Sequence, residues 1–235
     1  MKGGRSAHAP PALPPIPRTA RGQRTRARLI RAAEDIFGDV GYYETRVSEI
    51  TRRAGVALGT FYLYFPSKEE LFRALLSSLN HDLRRALREA THTLASRAAM
   101  EEKGLREFFR FLDRHRKLYR IVKQAESVDP KLYREYYERI ARGYRRGLEE
   151  AMDRGELKRL DPELVAYALM GMADFAASRY VVWGNGLSEA KVHQLAELIL
   201  RGLLADGPRS ASPGKVPRSG RSFPSIEGSR STAKP

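Results

Sequence analysis

The stretch Thr45–Leu71 constrains the fold most, because it carries a helix end, a turn and a new helix start within a short span. The helix predicted over Thr45–Ala54 must end at Gly55, since glycine readily adopts the left-handed backbone that closes a helix. The next segment, Leu58–Phe65, spans about two turns, and Ser67–Glu70 has the pattern of a capping box that opens another helix. Two helices joined by a short turn with glycine are typical of a helix-turn-helix, whose second helix enters a major groove of DNA.

The residues AGVALGTFYLYFPSKEEL within this stretch, with Gly41 upstream and Thr45 as the N-cap of the first helix, resemble a known DNA-binding signature. They are similar to that of the TetR family of one-component bacterial repressors, over about residues 24–75. This sequence departs from the family pattern at two positions. Ala57 stands where a serine usually caps the recognition helix, and Leu58 stands where a polar or basic residue is common. The resemblance implies DNA binding, with an unusual operator base opposite Leu58.

The resemblance also implies which residues contact DNA. Hydroxyl and ammonium groups suit phosphate oxygens, whereas Leu58 offers only apolar contact, for example to a thymine methyl group. Gly59 allows the backbone to approach DNA closely, and the two phenylalanines of this segment are expected in the core. Arg46 and Ser48 have an alternative interpretation as ordinary exposed helix residues. The predicted DNA-binding residues are Thr45, Arg46, Ser48, Leu58, Gly59, Thr60, Tyr62, Tyr64 and Lys68.

Net charge supports this prediction only weakly. The chain has a net charge of +15, of which residues 1–22 contribute +4 and residues 207–235 contribute +5, while the helix-turn-helix region, 23–72, contributes only +1. The two terminal segments are rich in proline, glycine and arginine, lack apolar periodicity, and are predicted to be disordered basic tails. The alternative function is therefore a ligand-independent architectural protein that binds DNA or RNA through these tails, with sequence-tolerant and strongly salt-dependent affinity.

Apolar residues at three- and four-residue spacing predict an all-α fold, without a convincing strand. The first helix is predicted over about Gln23–Val40 and belongs to a three-helix DNA-binding domain. A helical ligand-binding and dimerisation domain is predicted over 73–206. Its connector helix begins at Ser67 and ends near 90–94, and two shorter helices follow over about 101–125. A tyrosine-rich helix begins at Asp129-Pro130, a typical helix start, and ends near Gly155.

The last two predicted helices, 162–183 and 188–205, flank a turn at Gly184-Asn185-Gly186. The first of them is apolar nearly all round, which indicates burial on more than one side. A single helix-turn-helix reads few bases, and the family reads palindromes as dimers. We therefore expect both helices to form a homodimer interface; the alternative is that they are only intramolecular core. The predicted interface residues are Leu169, Ala176, Tyr180, Trp183, Val192, Leu195 and Ile199.

The resemblance implies an effector site between the middle helices. Each candidate residue is equally compatible with an ordinary core position. A basic cluster between Phe108 and Leu118 suits an anionic head group, such as that of a phosphorylated thioester, although a solvated helix face explains it too. We expect a small-molecule effector, an acyl thioester or another lipophilic metabolite. The candidate ligand-binding residues are Phe108, Phe109, Leu112, Tyr119, Val122, Tyr137, Tyr144, Met170, Met172 and Phe175.

No enzyme site is predicted. The five histidines lack metal-ligand spacing, cysteine is absent, and no nucleophile elbow, P-loop or dinucleotide fingerprint occurs. No apolar run has the length of a membrane-spanning helix, and the proline-rich start has no signal-peptide core. The sequence thus predicts a cytoplasmic, homodimeric repressor without cofactor, metal or membrane partner. It is expected to bind a palindromic operator in double-stranded DNA and to be released by its effector.

Overall fold

The computed structural model describes residues 17–184 and 186–204, so that residues 1–16 and 205–235 of the predicted tails, and Asn185 of the predicted turn, lie outside the described residues. Within this part of the chain the structure is all-α, as predicted, and its only β feature is one isolated bridge between Leu157 and Leu204. A π-helical turn, Ser178–Val182, extends the eighth helix. The helices are α1 (Ala20–Val40), α2 (Val47–Ala54), α3 (Leu58–Tyr62), α4 (Lys68–Thr91), α5 (Arg97–Arg114), α6 (Arg116–Val128), α7 (Pro130–Asp153), α8 (Pro162–Ala177) and α9 (Glu189–Leu203).

Two predicted helix starts in the N-terminal part are corrected by the structure, and α5 begins at Arg97, before the predicted start near 101. Helix α1 begins at Ala20 rather than Gln23, because the Thr19 hydroxyl accepts a hydrogen bond from the Gly22 N–H at 3.1 Å and caps the helix. The prediction of disorder is therefore wrong for residues 20–22. Helix α2 begins after Arg46 and not after Thr45, since the Arg46 N–H donates to the Glu49 carboxylate at 2.9 Å.

Helices α1–α3 and the start of α4 share an aromatic core. The rings of Phe37 and Phe72 meet edge to face at 5.5 Å, and Tyr42 lies 4.9 Å from Phe72. Helix α3 is shorter than predicted, yet Phe61 and Phe65 are both buried, so the expected core positions are confirmed. Burying such side chains contributes about 1.5–3 kcal/mol each, which explains how a five-residue helix keeps a fixed orientation.

Helix α4 connects this N-terminal part to the rest of the fold. Its first half buries Leu71, Phe72 and Leu75, and its second half buries Leu79 and Leu83. The buried Asn80 amide donates to the Tyr136 carbonyl oxygen at 2.9 Å and joins α4 to α7. Because buried amides require partners, this bond fixes how the two helices sit against each other.

Helix α6 lies directly against the end of α1. The Tyr42 N–H donates to the Gln124 side-chain oxygen at 2.8 Å, and the Lys117 ammonium contacts Asp39 at 2.8 Å. Gly38 permits this approach, since a Cβ there would lie 2.4 Å from the Lys117 Cβ. Helix α6 therefore contacts the N-terminal helices at one side, while Leu118 on its inner face is buried.

Candidate functional site

The outer face of α3 and the start of α2 form one exposed surface. Most predicted DNA-binding residues lie on it, and Thr60 and Tyr64 are half-buried at its edge. Ala57, the residue before α3, makes no side-chain cap hydrogen bond, as its departure from the family pattern implies. The exposed members of the predicted set are Arg46, Ser48, Leu58, Gly59 and Tyr62.

Gly59 has open space in front of it. It is exposed on α3, and a Cβ built there would meet no atom within 4 Å. No contact within the described protein therefore requires glycine at this position. A close approach of another molecule to the α3 backbone remains as a physical reason for it.

Thr45 and Lys68 have internal roles that sequence reasoning missed. Thr45 is only 2% exposed, and its hydroxyl donates to the Gly41 carbonyl oxygen at 2.6 Å. The Lys68 ammonium donates to the carbonyl oxygens of Tyr42 and Thr45 at 2.8 and 2.9 Å and lies 4.3 Å from the centre of the Tyr42 ring. These contacts correct the assignment of Thr45, because its side chain points into the protein. The Lys68 ammonium stabilises the turn before α2 through its hydrogen bonds.

Sequence reasoning also missed Leu63. This side chain, directly after α3, is 77% exposed, the highest value among the large apolar residues of the described chain. Phe61 and Phe65 are four residues apart and point into the core, so the residue midway between them must point outward. That spacing was the available signal, and it adds Leu63 to Leu58 as a second exposed apolar side chain in or next to α3.

The second candidate site is a cavity of about 440 Å³ enclosed by α4–α9. This volume lies in the range of small-molecule sites, and the walls are mostly aliphatic and aromatic. Ten residues were proposed from the sequence, and seven of them line the cavity: Phe108, Leu112, Tyr119, Val122, Tyr137, Tyr144 and Met170.

The other three candidates lie elsewhere. Phe109 is buried in the core beside the cavity, whereas Met172 and Phe175 are exposed on the outer face of α8. The cavity side of α8 is set by Met170 and Asp174, one turn apart, and residues two and five positions after Met170 therefore face away. This placement corrects the assignment of Met172 and Phe175.

One end of the cavity contains a buried ion pair. Arg97 and Glu101 are both less than a tenth exposed, and the Arg97 Nε donates to the Glu101 carboxylate at 2.6 Å. The Tyr144 hydroxyl also donates to Glu101. Burial, with the neighbouring Glu101 carboxylate, raises the pKa of Tyr144 well above its usual value, so its hydroxyl keeps its proton. The charges at this end are therefore compensated within the protein.

The other acidic side chain in the cavity lining, Asp174, also has a charged partner. Its carboxylate contacts the Lys123 ammonium at 2.7 Å, and its backbone carbonyl oxygen accepts from the Tyr119 hydroxyl at 3.0 Å. The Tyr137 hydroxyl approaches the carboxylate at 3.5 Å, and burial raises the pKa of Tyr137. The interior therefore suits an apolar ligand better than a charged one.

A third feature is an apolar outer face on α8 and α9. Phe175 is 70% exposed and packs edge to face on Trp183, with ring centres 6.2 Å apart. Leu164 and Leu198 are exposed to a similar degree. An exposed apolar patch of this kind marks an interaction surface.

The residues predicted for the dimer interface do not all lie on this face. Trp183 does, and Ala176, Tyr180 and Leu195 are half-buried at its margin. Leu169 and Ile199 line the cavity, and Val192 is buried in the core, which corrects their assignment to an exposed interface. The periodicity of an all-round apolar helix does not distinguish its inner from its outer side.

Within residues 17–184 and 186–204, no group of three or more histidine or acidic residues is placed to hold a metal ion. The same part of the chain has no helix that is both long and apolar enough to cross a membrane.

Two family models match the chain. The model described as bacterial regulatory proteins of the tetR family matches residues 29–75, and the model of the C-terminal domain of AefR-like transcriptional repressors matches residues 104–205. Together they cover the DNA-binding surface, most of the cavity lining and the apolar outer face.

Similar proteins include regulators of lipid metabolism. The fatty acid metabolism regulator protein of Bacillus subtilis is 29% identical over 66% of this chain and 82% of its own length. The helix-turn-helix regulator YdgC of the same species is 26% identical over 80% of this chain and 97% of its own length. The crystal structure of FadR from Bacillus subtilis in complex with stearoyl-CoA superposes with a TM-score of 0.67 at 26% identity, over 75% of this chain and 98% of that one.

Proposed function

Because the chain belongs to the TetR family of bacterial regulators, we propose that it is a homodimeric repressor that binds a palindromic operator and leaves it when a lipophilic effector fills the cavity. It is a DNA-binding transcriptional regulator and not an enzyme. The single observation that carries the proposal is the position of α6, which lines the cavity with Leu118 and Val122 and contacts the end of α1 through Gln124.

Release of DNA follows from that position. A ligand changes DNA affinity only if it binds one conformation better than another. A ligand that displaces the inner face of α6 also acts on the hydrogen bond between Gln124 and the Tyr42 N–H, and hence on the turn before α2. Lys68 at the start of α4 donates hydrogen bonds to the same turn. A movement of this turn therefore also acts on the start of α4.

Dimerisation is proposed through the outer face of α8 and α9. Two copies related by a twofold axis would cover Phe175, Trp183 and Leu198, and the pair would present two DNA-binding surfaces at a fixed spacing. The contact residues that we now propose for DNA are Arg46, Ser48, Leu58, Gly59, Thr60, Tyr62, Leu63 and Tyr64.

The effector is proposed to be an acyl thioester or a similar lipophilic molecule. The mostly apolar wall and the compensated interior charges favour a long apolar group inside the cavity. A relative that is 26% identical has been crystallised with stearoyl-CoA, which supports this class of ligand.

The proposal is tested by selecting bound sequences from a random DNA pool and measuring affinity for the enriched site by fluorescence anisotropy at fixed salt. We expect a short palindrome, loss of binding in Tyr64→Ala with the fold and dimer intact, and release on addition of dodecanoyl-coenzyme A. Enrichment of no sequence, with steeply salt-dependent binding to any duplex, would instead support the architectural alternative. Unchanged affinity of Tyr64→Ala would remove this residue from the contact surface.

A further inference from the structure

The residues that line the cavity differ in their exposure to solvent, and the exposed ones locate its entrance. Nearly all residues around the cavity are buried or half-buried. Among the lining residues, three are exposed to solvent: Arg84 and Arg88 on α4 and Gly143 on α7. The cavity therefore reaches solvent between α4 and α7, beyond the hydrogen bond from Asn80 to Tyr136 that holds these helices together.

Gly143 lies at this opening of the cavity. It lies within α7, and a Cβ built there would meet no atom within 4 Å, so packing of the described protein does not demand glycine. A glycine inside an exposed helix costs about 0.5–1 kcal/mol relative to alanine. Because Gly143 lines the cavity and is exposed, a larger side chain at this position would take up space at the opening.

The two arginines at the opening have no acidic partner in the described part of the chain. The Arg84 Nε donates to the Asn80 side-chain oxygen at 2.9 Å, which positions its guanidinium, but no carboxylate among residues 17–184 and 186–204 lies within 4 Å of either side chain's nitrogens. The adjacent Arg85, which does not line the cavity, is paired with Asp82 at 3.3 Å. Two guanidinium groups on one helix face, one turn apart, suit an anion with several oxygen atoms.

We propose that ligands enter between α4 and α7 beside Gly143, and that Arg84 and Arg88 bind the anionic group of an amphiphile whose apolar chain fills the cavity. This inference rests on the proposed function and specifies how its ligand is recognised. The interior disfavours a charged group because Arg97 and Asp174 already have partners, whereas at the opening an anion keeps part of its hydration. A fatty-acid carboxylate and the phosphates of an acyl thioester share this chemistry.

Calorimetric titration of the 235-residue chain separates the contribution of the head group to binding from that of the entrance. The ligands are dodecanoate, dodecanoyl-coenzyme A and the neutral 1-dodecanol, which differ only in the head group. The variants are Arg84→Gln with Arg88→Gln, the matched control Arg85→Gln, and Gly143→Leu with its control Gly143→Ala. The double variant should bind the anionic ligands about tenfold more weakly and 1-dodecanol with unchanged affinity. Gly143→Leu should weaken the binding of all three ligands more than Gly143→Ala does, and Arg85→Gln should bind them like the wild type.

The outcomes show whether the inference about the entrance fails alone or together with the proposed function. If the double variant matches Arg85→Gln, or loses affinity equally for 1-dodecanol, the arginines do not bind the head group and the inference fails while the function stands. Binding of no ligand by the wild type would overturn both. Dependence on the arginines for dodecanoate alone would identify a carboxylate as the anion, and dependence for dodecanoyl-coenzyme A alone would identify the phosphates.

Discussion

Substitution of Gly59 by alanine is expected to raise the stability of the protein and to lower its affinity for DNA. Gly59 is exposed within α3, its φ is not positive, and an added Cβ would have no neighbour within 4 Å. Alanine is favoured over glycine in a helix by about 0.5–1 kcal/mol. Because α3 has only five residues, we expect a gain in the free energy of unfolding near the lower limit, about 0.5 kcal/mol.

The same methyl group should weaken operator binding. If the α3 backbone lies against DNA at Gly59, the added Cβ occupies the space that DNA needs and displaces the neighbouring contacts of Leu58 and Tyr62. Loss of one or two good contacts costs about 1–3 kcal/mol, or roughly 5- to 150-fold in affinity. The variant should therefore be more stable than the wild type and bind DNA less well.

Two measurements test this prediction. Urea unfolding followed by circular dichroism gives the stability difference, and fluorescence anisotropy with the selected operator gives the affinity at one salt concentration. Gly143→Ala is the matched control, because this helical glycine is equally open but lies in α7, away from α3. It should gain stability without losing operator affinity. Wild-type affinity in Gly59→Ala, or a loss of stability, would refute the reasoning.

Three further predictions concern the body of the protein. Phe175→Asp should yield folded monomers in sizing experiments because Phe175 is exposed on the outer face, whereas Leu195→Asp should destabilise the fold because Leu195 packs against the core. Arg97→Met removes the cationic partner of the buried Glu101 and should lower the free energy of unfolding by about 3–5 kcal/mol in urea titrations. Glu156→Gln should destabilise at neutral pH: hydrogen bonds from the Arg97 N–H and the Arg154 side chain hold the pKa of Glu156 below its usual value. A carboxylate with a lowered pKa stabilises fully above its unfolded pKa, so this difference should decrease as the pH falls below the unfolded value of about 4.3 and through the lower pKa of the folded state.

Each of these has a result that counts against it. Dimers of Phe175→Asp would exclude the outer face as the interface. A small effect of Arg97→Met, comparable to that of changing the exposed Arg201 in its pair with Glu197, would mean that the ion pair is dispensable. A stability difference for Glu156→Gln that persists unchanged at pH 3 would show that charge is not its cause.

Local sequence signals predicted most helix boundaries correctly. Asp129 accepts from the Leu132 N–H, Asp161 accepts from the Leu164 N–H, and Ser188 accepts from the Lys191 N–H, so each of these residues caps the helix that follows it. Gly55 ends α2 in the left-handed conformation, with φ of 64°. Such signals succeed because cap hydrogen bonds join residues two or three positions apart and need no distant partner.

Polar residues whose side chains bond to the turn before α2 were misjudged. Thr45 has the residue type of a cap, but its hydroxyl donates to the Gly41 carbonyl oxygen and leaves the start of α2 to Arg46. Lys68 has the residue type of a phosphate ligand, but two carbonyl oxygens of the preceding turn accept hydrogen bonds from its ammonium group. Only the folded arrangement of these segments shows that these polar groups already have partners.

The sequence alone determined the all-α class, the helix-turn-helix and the family, because these depend on short-range spacing of apolar and capping residues. The tertiary structure decided which sides of α8 and α9 face the cavity and which face solvent. Met170 and Met172 are two residues apart and chemically identical, yet one lines the cavity and the other is exposed. A helix that is apolar all round has no preferred inner side of its own, and its orientation is set by the helices that pack against it.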